Sequence, residues 1–389
     1  MSQKWEPLKK VGIIGVPFEK GQKKYGVSIA PAAIRSAGLI EKLKEIDGMD
    51  VKDYGDIEIP ACNEPVNVDN MAHLPLVSAC NKNLSSKVSQ VLKDGRVAVT
   101  IGGDHSIGVG TVDGHYRVNE DMILIWVDAH ADINTNKTSE SGSVHGMPVA
   151  LLVKELSDYW PYLPTMDWQV PNDIENYQIY CVNIYTKHGI QKSINHILHR
   201  IDPEGKKPIH VSFDIDSLDA LEAPSTGTPV RGGLTLREAI QLMEIIYETG
   251  RLRAIDLVEI NPALGNDADR KRTIEAGLCV LRAGLGFSRR GTIPRGILDL
   301  PKWNSLPAHV FPSSYDPGNK YVINEDLSKT ISNYFHGKVN AFPLFKINIK
   351  VDRTPVKIPW TLDQAEPPNE KPMKKKYKYI KHKQMTKSE

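Results

Sequence analysis

Asp128, His130 and Asp132 place three potential metal ligands at every second position, directly after the apolar run Met122 to Val127. If an extended strand carries through them, alternate side chains share one face and all three donors converge. Carboxylate and imidazole donors together suit a divalent cation of intermediate softness. The pattern recurs twice. Ile209 to Phe213 leads into Asp214 and Asp216, and Val97 to Ile101 leads into Gly102-Gly-Asp-His105. A lone Asp-x-Asp is ordinarily a cap or a turn, whereas three such sets, each behind a buried-looking strand, point to one site. The donors His105, Asp128, His130, Asp132, Asp214 and Asp216 are too many for a single tetrahedral site with an open position, so two metals fit better. Four carboxylates would neutralise two dications, and a water shared between the metals would become a nucleophile near neutral pH.

The elements that must position these residues alternate in type. Strand patterns at Val11 to Val16, Val97 to Ile101, Ile123 to Val127, Gln178 to Val182, Ile209 to Phe213 and Leu252 to Val258 are interleaved with helical patterns. Helices are expected near Pro31 to Ile46, Ala79 to Leu92, Ile190 to Arg200, Thr235 to Thr249 and Thr273 to Leu285, with Thr235 and Glu238 at capping-box spacing. This order predicts an α/β fold with a mainly parallel sheet covered by helices, whose carboxyl edge is where ligand sites lie.

Bulk properties agree. The 389 residues are 40% hydrophobic, enough for a real core, and no apolar run is long enough to span a membrane. The first ten residues lack an apolar signal core, so a cytoplasmic location is expected. Cys62, Cys80, Cys181 and Cys279 have no framework or metal-knuckle spacing and read as reduced thiols. The net charge of +2 conceals a net of about +8 in residues 292 to 389 and about −6 before them.

Residues 11 to 291 resemble the arginases, of the manganese-dependent ureohydrolase family. The resemblance is carried by Gly102-Gly-Asp-His-Ser106, Asp128-Ala-His-Ala-Asp-Ile-Asn134, Ser141-Gly-Ser-Val-His-Gly-Met-Pro148, Ser212-Phe-Asp-Ile-Asp216 and Thr226-Gly-Thr-Pro-Val230. Gly12 to Phe18, Lys20-Gly-Gln22, Ala30 to Arg35 and Glu259 to Gly265 match as well. It implies a three-layer α-β-α fold of the arginase/deacetylase type and two Mn2+ per subunit. His105, Asp128, Asp132 and Asp214 would hold one manganese, and His130, Asp128, Asp214 and Asp216 the other, with Asp128 and Asp214 bridging. Glu259 would pair with the substrate guanidinium, Asp132 and His145 would carry protons, Asn134, Ser141 and Ser143 would meet the α-carboxylate, and Thr228 would lie at the substrate. The implied reaction is hydrolysis of L-arginine to L-ornithine and urea. The implied assembly is a homo-oligomer, trimer or hexamer.

Two departures surround the amino-acid end of that substrate. Ser143 stands where an arginase usually carries asparagine, a shorter reach for a carboxylate contact. The βα unit expected between the His-Gly loop and the Ser-Phe-Asp strand, which would bring acidic residues to the α-amino group, is not recognisable, a shortfall of roughly twenty residues or more. Tyr185, Lys187 and His188 offer no acidic substitute, and Asp173 and Glu175 sit in no matching motif. The alternatives are therefore a ureohydrolase of another guanidine such as agmatine, or a metal-binding relative with little activity. The chain divides into an arginase-like domain, 1 to 300, and a Pro-rich, Lys-rich tail, 301 to 389, expected to be poorly ordered. Eight lysines between Lys371 and Lys387 suit an anionic partner or simple solvation.

Overall fold

Alternation along the central strands dictates the layers. In β3 (Val97–Ile101), Val97, Val99 and Ile101 join one buried cluster while Ala98 joins another on the opposite face. In β4 (Ile123–Val127), Ile123, Ile125 and Val127 face the first cluster, whereas Leu124 and Trp126 face a third. A strand buried on both faces needs helices above and below it, which gives three layers.

The computed structural model describes residues 5–59, 67–153, 155–156, 179–181 and 189–288. These belong to one compact unit, Met1–Thr292. β1 (Lys10–Gly15), β2 (Asp50–Asp56), β3, β4, β5 (Ile179–Cys181), β6 (Ile209–Asp214) and β7 (Leu252–Val258) form a seven-stranded sheet ordered β2-β1-β3-β7-β6-β4-β5. Every pairing is parallel. α1 (Ala30–Ser36), α2 (Leu39–Lys44), α6 (Ile190–Ile201), α7 (Leu236–Glu248) and α8 (Asp267–Gly284) pack on one face. α3 (Leu74–Lys93), α4 (Gly108–Tyr116) and α5 (Pro148–Leu152) supply the other.

The elements differ from expectation in identifiable places. The helix expected from Pro31 to Ile46 is two, because Gly38 takes φ +86°, a left-handed turn that ends one helix and starts the next. α8 begins at Asp267, six residues early, under a capping box of Asn266 and Asp269. The capping box at Thr235 and Glu238 is present. β2 and α4 were not anticipated. β2 is a charged, largely exposed edge strand, a composition that guards a sheet edge but hides from a hydrophobic pattern. Cys80 is buried as a free thiol. Cys62, Asp173, Glu175, Tyr185, Lys187, His188 and the tail from 301 lie outside the described residues. Among the described residues no helix is long and apolar enough to cross a membrane.

Candidate metal centre and substrate cavity

Four neighbouring strands end at one edge of the sheet, and each hands over a polar residue. Asp104 and His105 follow β3, Glu259 follows β7, Asp214 closes β6 and Asp128 follows β4. The expected shared strand face of Asp128, His130 and Asp132 is not what aligns them, since β4 stops at Val127 and Asp132 takes φ +49°. Asx turns do the work instead. Asp128 Oδ1 accepts the His130 N–H at 2.7 Å, Asp214 Oδ1 the Asp216 N–H at 2.8 Å, and Asp104 Oδ1 the Ser106 N–H at 3.1 Å. Each aspartate folds the chain around itself and turns the next donor towards the centre.

Two donor groups result. His105 Nδ1 lies 3.0 Å from Asp128 Oδ2, 3.2 Å from Asp132 Oδ2 and 3.1 Å from Asp214 Oδ2. His130 Nδ1 lies 3.1 Å from Asp216 Oδ2 and 3.5 Å from Asp128 Oδ1. The two oxygens of Asp128 thus face different groups, as a bridging carboxylate requires. Asp214 reaches the first group through Oδ2, its Oδ1 being engaged by the Asp216 N–H. Ligand atoms of His105, Asp128 and Asp132, and separately of Asp128, His130 and Asp216, fall within 4.8 Å of one another. His105 is held from behind: its Nε2 is 3.0 Å from Ser212 Oγ, and its ring stacks at 4.0 Å on Trp126, whose indole N–H donates to Asp128 Oδ2.

The electrostatics show what these donors need. Burial and the charge of Asp128 push Asp132 up to about 7, and burial with Asp216 and Asp128 drives Asp214 well above the usual carboxylate range. Asp216 is raised by burial as well. Hydrogen bonds to Asp128 and Asp216 push His130 up to about 11, while His105 rises well above its ordinary value because its three carboxylate partners outweigh burial. With Nε2 facing Ser212 Oγ, Nδ1 of His105 points at three carboxylate oxygens, and a dication taking the place of its proton would meet one nitrogen and three oxygens. An all-oxygen-and-nitrogen set so crowded with negative charge fits divalent cations such as manganese.

Behind these groups sits Glu259, 1% exposed and at φ +62°. Its Oε1 accepts the His105 N–H at 2.9 Å and lies 3.0 Å from His145 Nδ1, and its Oε2 accepts from Gln22 Nε2 at 2.9 Å. Burial lowers His145, but the pairing with Glu259 and the charges of Asp104 and Asp132 prevail and push it up to about 9. Asp104, fully buried and near Glu259, is raised to about 6 by burial and then by that charge.

A cavity of about 340 Å³ opens against His130, Asp132, Asp214, Asp216 and His145. Asn134, Ser139, Ser141, Ser143 and Thr228 also line it. Thr228 Oγ1 donates to Asp216 Oδ2 at 2.8 Å, so this residue orients a metal-group carboxylate. Asn134 Oδ1 accepts the Thr138 hydroxyl, Ser139 Oγ the Gly142 N–H, and Ser141 Oγ the Ser143 N–H. Alongside these accepting oxygens, the amide of Asn134 and the hydroxyls of Ser139 and Ser141 carry hydrogens that can be offered to an anion.

The residues the sequence named for metal, proton or substrate are therefore gathered at one strand edge, though Glu259 stands behind His145 and is not among the residues lining the cavity. Asp104, Gln22 and Ser212 stood in the matching motifs without a role, and Ser139 and Trp126 were overlooked. A signal existed for Ser212 and Trp126, which lie two residues before Asp214 and Asp128, where period-two alternation puts them on the same side. Gln22 has no such local signal.

The model of the arginase family matches residues 9–285. The hepatic arginase of Aquarana catesbeiana is 40% identical over 306 residues, covering 72% of this chain and 94% of that protein. Arginase-1 of Mus musculus is 41% identical over 306 residues, with 73% and 94% covered. The native structure of the arginase from Bacillus caldovelox superposes with a TM-score of 0.61 at 31% identity, covering 72% of this chain and all of that one. Because 72% of 389 residues is about 280, an alignment of 306 leaves about 26 positions of the frog protein without a counterpart here.

Proposed function

The chain belongs to the arginase family, and on that premise we propose that it hydrolyses the guanidino group of L-arginine to L-ornithine and urea. The observation that carries this reading is the pair of donor groups sharing Asp128 beside a cavity that Asn134, Ser139, Ser141 and Ser143 also line. His105, Asp128, Asp132 and Asp214 would hold one Mn2+, and His130, Asp128 and Asp216, with Asp214 alongside, the other. When bound, the two ions supply Lewis acidity and make water nucleophilic at neutral pH.

The protein's own residues do the rest. Asn134, Ser141 and Ser143 offer hydrogens to the substrate carboxylate, which fixes the far end of the molecule and so orients its guanidino carbon. Glu259 provides a carboxylate outside both metal groups for the guanidinium charge. Collapse of the tetrahedral adduct requires a proton on the leaving nitrogen. Asp132 and His145 both line the cavity; His145, protonated at neutral pH, can deliver that proton and recover it from solvent.

A second reading is supported by the 26 or so positions without counterpart. Among the described cavity-lining residues, the carboxylates all belong to the metal groups, so nothing there is left over to hold an α-ammonium. We therefore expect a weak grip on L-arginine and reduced discrimination against guanidines such as agmatine that lack an α-amino acid head. Steady-state urea release with manganese on both substrates tests the two readings together. Comparable kcat/KM on both is the expected result; strong preference for arginine restores the first reading alone, and urea from neither leaves a metal-binding relative without this activity.

A further inference from the structure

We propose that Gln22 is a positioning residue that locks the Glu259 carboxylate and leaves a single lone pair of its Oε2 to meet a guanidinium N–H. This rests on the reading of the site as a guanidino hydrolase. A carboxylate offers about four lone-pair directions. Oε1 of Glu259 uses both of its own, one on the His105 N–H at 2.9 Å and one on His145 Nδ1 at 3.0 Å. Gln22 Nε2 takes one of the two on Oε2, at 2.9 Å. Oε2 lies on the side of Gly227, next to the cavity-lining Thr228, so a substrate reaching it from there would be met through one hydrogen bond rather than by the two-pronged pairing usual between guanidinium and carboxylate.

The surroundings are built for that arrangement. The segment carrying Gln22 is fixed by its backbone, since the Gly21 N–H donates to Asp104 Oδ2 at 2.8 Å and the Gly21 carbonyl accepts the His145 N–H at 3.0 Å. No side chain fits at Gly21, where a Cβ would stand 2.4 Å from Asp104 Oδ1 and 2.5 Å from Ser106 Oγ. The Gln22 side chain is thus spared from holding the loop. On the other side, a Cβ at Gly227 would stand 3.4 Å from Gln22 Oε1 and 3.7 Å from Glu259 Oε2. Glycine keeps that space clear, and the next residue, Thr228, lines the cavity. Lys24 holds this glycine in turn by donating to its carbonyl. The terminal torsion of a glutamate is soft, so without Gln22 the carboxylate turns and both its free lone pair and its bond to His145 go astray.

Gln22→Met keeps length and removes the donor; Gln22→Glu sets a second carboxylate against the first. The full-length, manganese-loaded proteins are compared by urea kinetics, manganese stoichiometry and thermal unfolding, and the downfield proton resonance of His145 Nδ1–H is read on the same proteins loaded with diamagnetic Zn2+, because paramagnetic Mn2+ would broaden it away. Both variants should bind manganese and unfold as wild type does. Gln22→Met should lose about 10- to 100-fold in kcat/KM, as for one hydrogen bond to a charged group, and Gln22→Glu more. The His145 resonance should shift or broaden in both. Wild-type kinetics with an unmoved His145 resonance would overturn the proposal, as would loss of manganese or of the fold in Gln22→Met, which would make Gln22 a structural residue. If the wild-type chain releases no urea, the functional reading fails, and the His145 resonance still decides whether Gln22 sets the Glu259 carboxylate.

Discussion

Asp128 carries more of the site than any other residue, because its two oxygens serve different donor groups and its backbone turn aims His130. Asp128→Ala should therefore lower manganese stoichiometry below two per chain and reduce urea release by roughly a thousandfold or more, measured by metal analysis of the dialysed protein and steady-state kinetics. The crowded carboxylates also fix a pH dependence. Asp132 is raised to about 7, so the stability it contributes without metal is present below its unfolded value near 4 and is lost as pH rises through 7. His145 and His130, raised to about 9 and 11, begin to lose theirs above the ordinary histidine value of 6.5 and have lost it once pH passes those raised values. Manganese needs the same carboxylates deprotonated, so it restores more stability the further pH rises from 5 to 8. The increase in Tm on adding manganese should grow across that range, and an increase that shrinks would contradict this electrostatic account.

At the scale of elements, apolar runs made β3, β4, β6 and β7 legible, and with them the edge where the donors gather. What the runs could not convey was backbone turning. Periodicity carried a helix straight through Gly38, and an assumed strand carried Asp128 to Asp132, because neither the left-handed φ of Gly38 nor that of Asp132 leaves a mark on hydrophobic spacing. The donors of the site were expected from a strand geometry they do not adopt. β2 was invisible for the opposite reason, its Asp50, Lys52, Asp53 and Asp56 being the charges an edge strand carries. Gly103 shows how closely the loops then nest. A Cβ there would lie 1.6 Å from the Phe18 carbonyl oxygen, a backbone atom with no side-chain freedom to yield. Gly103→Ala should force apart the loops after β1 and β3 and displace His105, lowering Tm by several degrees or more and weakening manganese binding. A variant with wild-type Tm and metal affinity would show that these loops can shift apart cheaply.

For the whole molecule, the question is which part of the chain suffices. The family match ends at residue 285, and among the described residues the main buried cluster ends in the same place, with α8 and Leu285 at 2% exposure. All twelve residues assigned to metal, proton or substrate lie between His105 and Glu259. Charge divides there too, a net of about +8 following Thr292 and about −6 preceding it. A chain ending at Thr292 should therefore keep the manganese-induced rise in Tm, and release urea within about twofold of the full-length protein, since neither core nor donors are removed. It should differ instead in charge-driven association. The full chain should bind a polyanion such as heparin at low ionic strength and release it as salt rises, in the manner of a lysine cluster shedding counterions, while the shortened chain should not bind. Equal binding by both would move the anion-binding charge into the catalytic unit. Loss of urea release on shortening, with manganese still bound, would place part of the substrate's grip beyond Thr292, where the contact missing from the described cavity could then be sought.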